Sequence, residues 1–140
     1  MTCYAVIDTN VLVSALLSSH SNAATVRVVG KLFSGDVIPL FSKDILDEYN
    51  EVLCRKKFRF SEEIVAALMD VIERTGELIK PTPSGEILVD MKDLPFYEVV
   101  LEKRGEDAYL VTGNIKHFPR KSFIVTANEF LEILEQKSGK

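Results

Sequence analysis

Five short apolar runs, each continuous rather than alternating, constrain what this chain can fold into. They lie at residues 4–7, 37–41, 86–89, 109–111 and 123–125. Strands buried on both faces of a parallel sheet have this character, whereas strands with one solvated face alternate apolar and polar residues. The runs therefore predict a parallel sheet that is covered on both sides.

Segments with helical periodicity separate these runs. They are residues 11–18, 22–34, 43–57, 61–76, 95–104 and 128–137. Ser42 and Ser61 stand where helices would begin, and Gly35 and Gly76 stand where helices would end. Strands that alternate with helices imply right-handed crossovers, so the predicted fold class is α/β with helices on both faces of the sheet.

The size and composition of the chain limit its class. Its 140 residues suit a single domain at 1–140, and 46% hydrophobic residues are typical of a folded protein. No apolar run approaches the roughly 18 residues that span a bilayer. The first residues lack a basic segment before the apolar run, so we interpret them as a strand and not as a signal peptide. Cys3 and Cys54 have no metal-ligand spacing, and we expect both to be small buried residues of a cytoplasmic protein.

The net charge of −4 disfavours a protein that simply coats nucleic acid. It does not disfavour a nuclease with a carboxylate site, because bound divalent cations reverse the local sign of the charge.

Compact acids and amides follow three of the five predicted strands. Asp8 follows the first, Asp90 and Asp93 follow the third, and Thr112 and Asn114 follow the fourth. Open parallel sheets bind ligands at the carboxyl ends of their strands. We therefore expect a site where these side chains converge.

Asp8 and Asp93 have a second interpretation, as helix N-caps. Asp8 is followed by Thr9 and Asn10, either of which could cap, which leaves Asp8 free to face a cleft. Asp93 precedes Leu94 and Pro95, an arrangement typical of a helix start. Asp90 remains an alternative to Asp93, and Glu98, one turn into the next helix, is a secondary candidate.

Glu48 lies in the helix predicted at 43–57. At 100° per residue it stands at the edge of an apolar stripe, while Asp47 and Glu51 lie on the opposite face. The stripe consists of Ile45, Leu46, Tyr49, Val52 and Leu53. A carboxylate at that edge can point into a cleft beside the core, or it can be an ordinary rim charge.

Together, the candidate acids, Thr112 and Asn114 form a set of hard oxygen ligands. Asn114 can bind a cation or its water, and the Thr112 hydroxyl can bond a carboxylate or a phosphate oxygen. Clusters of this type select Mg²⁺ or Mn²⁺ and suit phosphodiester hydrolysis by a metal-activated water. His20 and His117 show no zinc spacing, and we expect them at the surface or in turns.

Two basic clusters could follow a nucleic-acid backbone. Residues 55–60 mix four cations with two phenylalanines, although cations at a helix C-terminus also complement its dipole. Lys116 and Arg120 belong to the second cluster, which comes just after Asn114 and would stand at the mouth of the cleft.

Four motifs, in order, resemble those of the PIN domain family. They are Ala-Val-Ile-Asp-Thr-Asn-Val-Leu-Val-Ser-Ala at 5–15, Ser42–Arg55 with Glu48, Asp90–Glu98 with Asp93, and Tyr109–Phe118 with Asn114. The chain is most similar to the small single-domain PIN proteins that serve as toxins of toxin–antitoxin pairs.

The resemblance implies a three-layer α/β/α sandwich around a mostly parallel sheet of about five strands. It implies a Mg²⁺- or Mn²⁺-dependent endoribonuclease that cuts single-stranded RNA, forms a homodimer and is neutralised by an antitoxin. Asp8, Glu48 and Asp93 would be the metal ligands, and Thr112, Lys116 and Arg120 would contact substrate. The fourth motif position is often Asp in the family and is Asn114 here, so the site has one charged ligand fewer for a second metal.

Two other functions compete with this one. A PIN-like domain with a decayed site could bind RNA or a protein partner without cutting. An aspartyl-phosphate hydrolase could use Asp8 as its nucleophile, but the residue two positions later is Asn10 where such enzymes carry a second Asp.

Overall fold

The computed structural model describes residues 2–138, and its centre is a five-stranded sheet in which every strand pairing is parallel. The strands are β1 (Cys3–Ile7), β2 (Val37–Phe41), β3 (Glu77–Leu78), β4 (Tyr109–Val111) and β5 (Ile124–Val125). The helices are α1 (Thr9–Leu17), α2 (Ala24–Ser34), α3 (Lys43–Leu53), α4 (Glu62–Thr75), α5 (Leu94–Glu102) and α6 (Ala127–Ser138). Short 3₁₀ turns occupy Lys56–Phe58, Met91–Asp93, Arg104–Glu106 and Ile115–His117.

The strand order creates a crevice at the centre of the sheet. The order is β3-β2-β1-β4-β5. Strands β2 and β3 therefore extend the sheet on one side of β1, and β4 and β5 extend it on the other. Ile7 pairs with Val111, and the Asp8 N–H donates to the Val111 carbonyl at 2.9 Å. The carboxyl ends of β1 and β4 are therefore adjacent at the point where the order reverses, which is where open α/β sheets bind ligands.

Helices cover both faces of the sheet and give the three-layer α/β/α fold that the sequence predicts. Helix α2 packs against α1 and α6, and α3 packs against α4 and α5. The buried apolar side chains form one continuous cluster. Its largest fully buried members include Tyr49, Phe96, Phe130, Ile7 and Leu12. Burial of each such side chain stabilises the fold by about 1.5–3 kcal/mol.

The helix boundaries follow local chemistry. Ser42 Oγ accepts from the Ile45 N–H at 3.3 Å, and Ser61 Oγ accepts from the Ile64 N–H at 3.1 Å, so both predicted caps are confirmed. Gly35 ends α2 with φ of 88°, a left-handed conformation that glycine adopts without strain. Gly76 ends α4 for a different reason, because a Cβ there would lie 2.3 Å from the Pro39 carbonyl oxygen.

The strand predicted at 86–89 is wrong. Ile87 and Val89 are 86% and 79% exposed, and only Leu88 of that run is buried. The third strand is instead Glu77–Leu78, which pairs with the end of β2 directly after Gly76. A two-residue strand has no apolar run to reveal it, whereas the close approach at Gly76 brings the chain beside β2. Asp90 and Asp93 therefore follow an extended loop and not a strand.

Two smaller expectations also need correction. The helix predicted at 43–57 stops at Leu53, and a separate 3₁₀ turn follows it. Cys54 is consequently exposed beyond the helix end, whereas Cys3 is buried as expected. None of the helices within residues 2–138 is long and apolar enough to cross a membrane.

Candidate active site

Asp8 lies at the crevice between β1 and β4. It occupies the N-cap position of α1, but its side chain makes no capping hydrogen bond. Its Oδ2 instead accepts from Thr112 Oγ1 at 2.7 Å and from Asn10 Nδ2 at 3.4 Å. Asp8 is only 4% exposed. Side chains thus hold the carboxylate at the strand end. This arrangement agrees with Asp8 facing the crevice and not with Asp8 capping α1.

Thr112 connects the two strand ends. It is completely buried, and its hydroxyl also accepts from the Asn114 N–H at 3.0 Å while it donates to Asp8. Asn10 Oδ1 accepts from the Gly113 N–H at 3.2 Å and adds a second link between α1 and the turn after β4. The sequence predicts that the Thr112 hydroxyl bonds a carboxylate or a phosphate oxygen, and in the structure it bonds the carboxylate of Asp8. Thr112 therefore orients Asp8, and as a fully buried residue it contributes no surface to the cleft.

Helix α3 brings Glu48 to the same crevice. Glu48 is half-buried, and its Oε2 accepts from Thr9 Oγ1 at 2.5 Å. The next residue, Tyr49, is fully buried, and its hydroxyl donates to the Ile7 carbonyl directly before Asp8. Asp47 and Glu51 are exposed, in agreement with the predicted helix wheel. Tyr49 thus fixes α3 against β1 and sets where Glu48 lies.

Asp93 approaches from the 3₁₀ turn before α5. It makes no capping hydrogen bond to α5; its Oδ2 lies 3.2 Å from His117 Nδ1, and its side chain is 17% exposed. Asp90 accepts from the Lys92 N–H and is exposed, so it caps the 3₁₀ turn. Between these two acids, the structure therefore turns Asp93 towards the segment after β4.

The three carboxylates influence one another. Burial raises the pKa of Asp8, and the negative charge of Asp93 raises it further, against the lowering effect of the Thr112 hydrogen bond. Burial and the charge of Asp8 likewise raise the pKa of Glu48. Burial, and then the charges of Asp90 and Glu48, raise the pKa of Asp93 despite the hydrogen bond with His117. Three acids from three separate elements therefore share one electrostatic site.

The carboxylate oxygens of the three acids suit a hard divalent cation, but the side chains do not surround a common centre. Among residues 2–138 no three His, Cys, Asp or Glu side chains lie close enough together to hold an ion as they stand. Glu48 is bonded to Thr9 and Asp93 to His117 instead. Within the same residues no lysine or arginine lies within ion-pair distance of the three carboxylates. Mutually repelling, partly desolvated carboxylates without a lysine or arginine at ion-pair distance are the ligands that Mg²⁺ or Mn²⁺ would neutralise.

The other predicted residues lie at the rim. Asn114 is exposed and lines an open cleft of about 330 Å³ with Lys116 and His117. Arg120 lines a neighbouring hollow with Pro119 and Lys121. The structure therefore places Lys116 beside Asn114 and His117, and it places Arg120 in a separate depression.

Glu98, the secondary candidate, is occupied elsewhere. Its Oε2 accepts from the Ser84 N–H at 2.8 Å and from Ser84 Oγ at 3.1 Å. These contacts hold the irregular segment before the 3₁₀ turn at Met91–Asp93. Glu98 thus shapes the approach to the site through this loop.

Sequence reasoning missed three residues that hold the acids. His117 was expected to be only a turn or surface residue, yet it contacts Asp93. Tyr49 was expected to serve only the apolar stripe, and Thr9 only as a possible cap, yet they position and bond Glu48. The one available signal was proximity in sequence, since Thr9 and Tyr49 adjoin predicted acids and His117 lies three residues after Asn114.

Comparison with protein families gives one match. The model of the PIN domain matches residues 4–116, a span that includes Asp8, Glu48, Asp93 and Asn114. Neither the curated proteins nor the solved structures yield a match. PIN domains are generally nucleases. Since the match extends from the first strand to the turn after the fourth, the chain belongs to the PIN domain family.

Proposed function

We propose that this protein is a divalent-metal-dependent endoribonuclease that cleaves single-stranded RNA and acts as the toxin of a toxin–antitoxin pair. One observation carries the nuclease assignment. Asp8, Glu48 and Asp93 come from three elements to the crevice where the strand order reverses, and their charges raise one another's pKa. In a family of nucleases, such an acidic site suits phosphodiester hydrolysis.

Asp8, Glu48 and Asp93 would hold the cation. When bound, Mg²⁺ or Mn²⁺ neutralises these carboxylates, orients the scissile phosphate and makes water a stronger nucleophile. Asp8 is already held in place by Thr112. Thr9 bonds one carboxylate oxygen of Glu48 and His117 contacts one of Asp93, so each acid would offer its other oxygen to the cation.

The residues at the rim would receive the RNA. Lys116 and Asn114 line the open cleft beside His117, where a cation and an amide can contact a phosphate oxygen or its water. Lys116 supplies positive charge next to the acidic crevice, and Arg120 extends it along the surface. These side chains would guide the strand and leave the carboxylates to hold the cation.

Asn114 limits the charge available to the site. An aspartate at this position would add a fourth carboxylate, whereas an amide offers only a neutral oxygen. Affinity for hard cations depends on the number of charged ligands. We therefore propose one tightly held cation and a second, weaker one at most.

The resemblance to small PIN toxins supports the substrate and partner assignments. We propose single-stranded RNA as substrate, a cognate antitoxin as protein partner, a homodimer as the working assembly and the cytoplasm as its location. Expression of the protein alone should arrest growth of a bacterial host, and expression of Asp8→Asn should not. Equal arrest by both proteins would separate toxicity from the carboxylate site.

The second candidate is a PIN-like protein that binds RNA or a protein partner without cutting it. The neutral Asn114 and the contacts of Glu48 and Asp93 with Thr9 and His117 favour it. This candidate predicts no stabilisation by Mn²⁺, whereas a functional cation site raises the melting temperature by mass action. A thermal melt with and without Mn²⁺ distinguishes the two functions.

Substrate class is tested with one labelled sequence in three forms. Single-stranded RNA, double-stranded RNA and single-stranded DNA are incubated with Mn²⁺ and the protein, beside Glu48→Gln and the control Asp47→Asn. Asp47 is the exposed neighbour of Glu48 on α3. We expect cleavage of the single-stranded RNA by wild type and Asp47→Asn alone. Cleavage by Glu48→Gln at the wild-type rate would refute the assignment.

A further inference from the structure

A second cleft lies away from the candidate active site, between the end of α3 and the start of α4. Its volume is about 530 Å³, which is within the range of sites for small organic ligands. Its apolar lining consists of Leu53, Phe60, Val65, Ala66 and Met69. Its polar lining consists of Asn50, Cys54, Arg55, Lys56, Arg59 and Glu62.

The loop that borders this cleft has a specific conformation. Arg59 adopts a left-handed backbone with φ of 55°, a conformation that residues with a Cβ rarely adopt. On either side of it, the rings of Phe58 and Phe60 stack with centroids 5.2 Å apart and planes 8° apart. Both rings are half-buried. The loop therefore holds an aromatic pair at the edge of an apolar cleft.

The border of the cleft is positively charged in a protein whose net charge is −4. Arg55 is paired with Glu51, and Lys57 lies over the Phe58 ring at 5.2 Å. Within residues 2–138, Lys56 and Arg59 form no ion pair, and both are exposed. An apolar, aromatic cleft bordered by free cations is complementary to a ligand with planar rings and a polyanionic backbone.

Helix α3 connects the cleft to the candidate active site. Leu53, in the lining of the cleft, lies five residues after Glu48, about 7.5 Å along the helix axis. Arg55 is near enough for its charge to act on Glu48. A stacked strand advances about 3.4 Å per nucleotide, so the axial rise alone corresponds to at least about two nucleotides, and the rotation of about 140° between the two residues lengthens the path.

We infer that the cleft between α3 and α4 is a nucleobase-binding subsite, which holds a single-stranded RNA segment a few nucleotides from the phosphate at the carboxylates. This inference rests on the proposed ribonuclease function and adds where the strand lies. Bases enter against Phe60 and the apolar lining, while Lys56 and Arg59 contact the backbone phosphates. A duplex, whose bases are stacked and paired, cannot enter in this way.

Cys54 reports on occupancy of the cleft in the unmodified protein. It is exposed in the lining, whereas Cys3 is buried, so alkylation by N-ethylmaleimide should act on Cys54 first. The alkylation rate is measured in EDTA, which prevents cleavage, with and without a 12-nucleotide uridine-rich RNA. We expect the single strand to slow alkylation of Cys54 severalfold, and a duplex of the same length to have little effect.

Paired substitutions test the cations without disturbing the fold. Lys56→Ala with Arg59→Gly removes two charges, and glycine accepts the left-handed backbone of Arg59 without strain. We expect about tenfold weaker RNA binding and a salt dependence reduced by about 1.4 in slope, or 0.7 for each lost phosphate contact. Arg27→Ala with Lys31→Ala is the matched control, since these cations border a small hollow beside α6.

The outcomes separate this inference from the proposed function. Metal-dependent cleavage without protection of Cys54, and with equal RNA binding by both double variants, would overturn the subsite and leave the nuclease standing. Protection of Cys54 and weakened binding without any cleavage would support the subsite in a protein that only binds RNA. Protection by an acidic peptide but not by RNA, or by raised protein concentration alone, would overturn the subsite in favour of a protein partner or a second copy.

Discussion

The Thr112 hydroxyl donates to Asp8 Oδ2 at 2.7 Å and thereby joins the carboxyl ends of the two central strands. Asp8 follows β1 and Thr112 follows β4, so the bond crosses the point where the strand order reverses. The same hydroxyl accepts from the Asn114 N–H. One buried threonine thus orients both the central carboxylate and the turn that carries Asn114.

Thr112→Val should retain the fold and weaken the site. Valine fills the same space but cannot donate to Asp8, so the pKa of Asp8 should rise further and its carboxylate should lose its orientation. We expect Mn²⁺ affinity and RNA cleavage to fall about 10- to 100-fold, the usual effect of losing a group that orients a metal ligand. Thr112→Ser keeps the hydroxyl and should retain most activity. Equal activity of the valine and serine variants would show that the hydroxyl has no role.

His117→Ala should lower cleavage without unfolding the protein. His117 contacts Asp93 and is partly exposed, so its removal takes away a partner that orients the carboxylate without leaving a core cavity. We expect about tenfold slower cleavage at neutral pH, measured under single-turnover conditions. His20→Ala is the matched control, because His20 is exposed and lies in the loop between α1 and α2. A loss in both variants would point to a general effect of histidine removal.

Protonation of the three site acids should stabilise the metal-free protein as the pH falls towards their folded-state pKa values. Burial, with mutual repulsion, raises the folded-state pKa values of Asp8, Glu48 and Asp93. The folded state therefore binds more protons than the unfolded state between the two sets of pKa values, and the free energy of unfolding rises as pH falls through that window. Asp8→Asn should flatten this dependence and stabilise the metal-free protein by about 0.5–2 kcal/mol at pH 7.

Urea unfolding of both proteins in EDTA at pH 5 and pH 7 measures the direction and size of this change in the free energy of unfolding. Mn²⁺ should reverse it, since the cation binds deprotonated carboxylates and stabilises more at pH 7 than at pH 5. Asp47→Asn, at an exposed position, should behave like wild type. The same change in stability between pH 5 and pH 7 in wild type and in Asp8→Asn, without metal, would contradict the desolvated acidic site.

Tyr49→Phe should destabilise the fold through one hydrogen bond. The Tyr49 hydroxyl donates to the Ile7 carbonyl in the core, and its loss should cost about 1–3 kcal/mol in the free energy of unfolding. Cleavage should fall as well, because the bond fixes Glu48 relative to Asp8. Tyr97→Phe is the comparison, because Tyr97 is also buried and, within residues 2–138, none of the three site acids shifts its pKa. Equal stability of the two variants would exclude this role for Tyr49.

Four of the five strands and all six helices of residues 2–138 could be predicted from the sequence, because buried strands and amphipathic helices produce recognisable patterns in neighbouring residues. The third strand could not. Its two residues, Glu77 and Leu78, pair with β2 because Gly76 allows a close approach to Pro39, a contact distant in sequence. The apolar run at 86–89 suggested a strand, yet Ile87 and Val89 face solvent.

The acids of the site could be predicted because each stands at an informative position. Asp8 follows a buried strand, Glu48 stands at the edge of an apolar stripe, and Asp93 precedes a helix start. Their partners Thr9, Tyr49 and His117 could not be assigned, since those contacts join segments far apart in sequence. The resemblance to PIN domains named the acidic positions, but only the fold identifies the side chains that hold them.

The central claim is that Asp8, Glu48 and Asp93 form a metal-dependent nuclease centre. The most direct measurement is cleavage of a labelled single-stranded RNA with Mn²⁺, with Mg²⁺ and with EDTA, by wild type, Asp8→Asn and Asp47→Asn purified in parallel. We predict cleavage that requires the metal, persists in Asp47→Asn and is lost in Asp8→Asn. Metal-dependent cleavage by Asp8→Asn at the wild-type rate, or no cleavage by any of the three proteins, would contradict the claim.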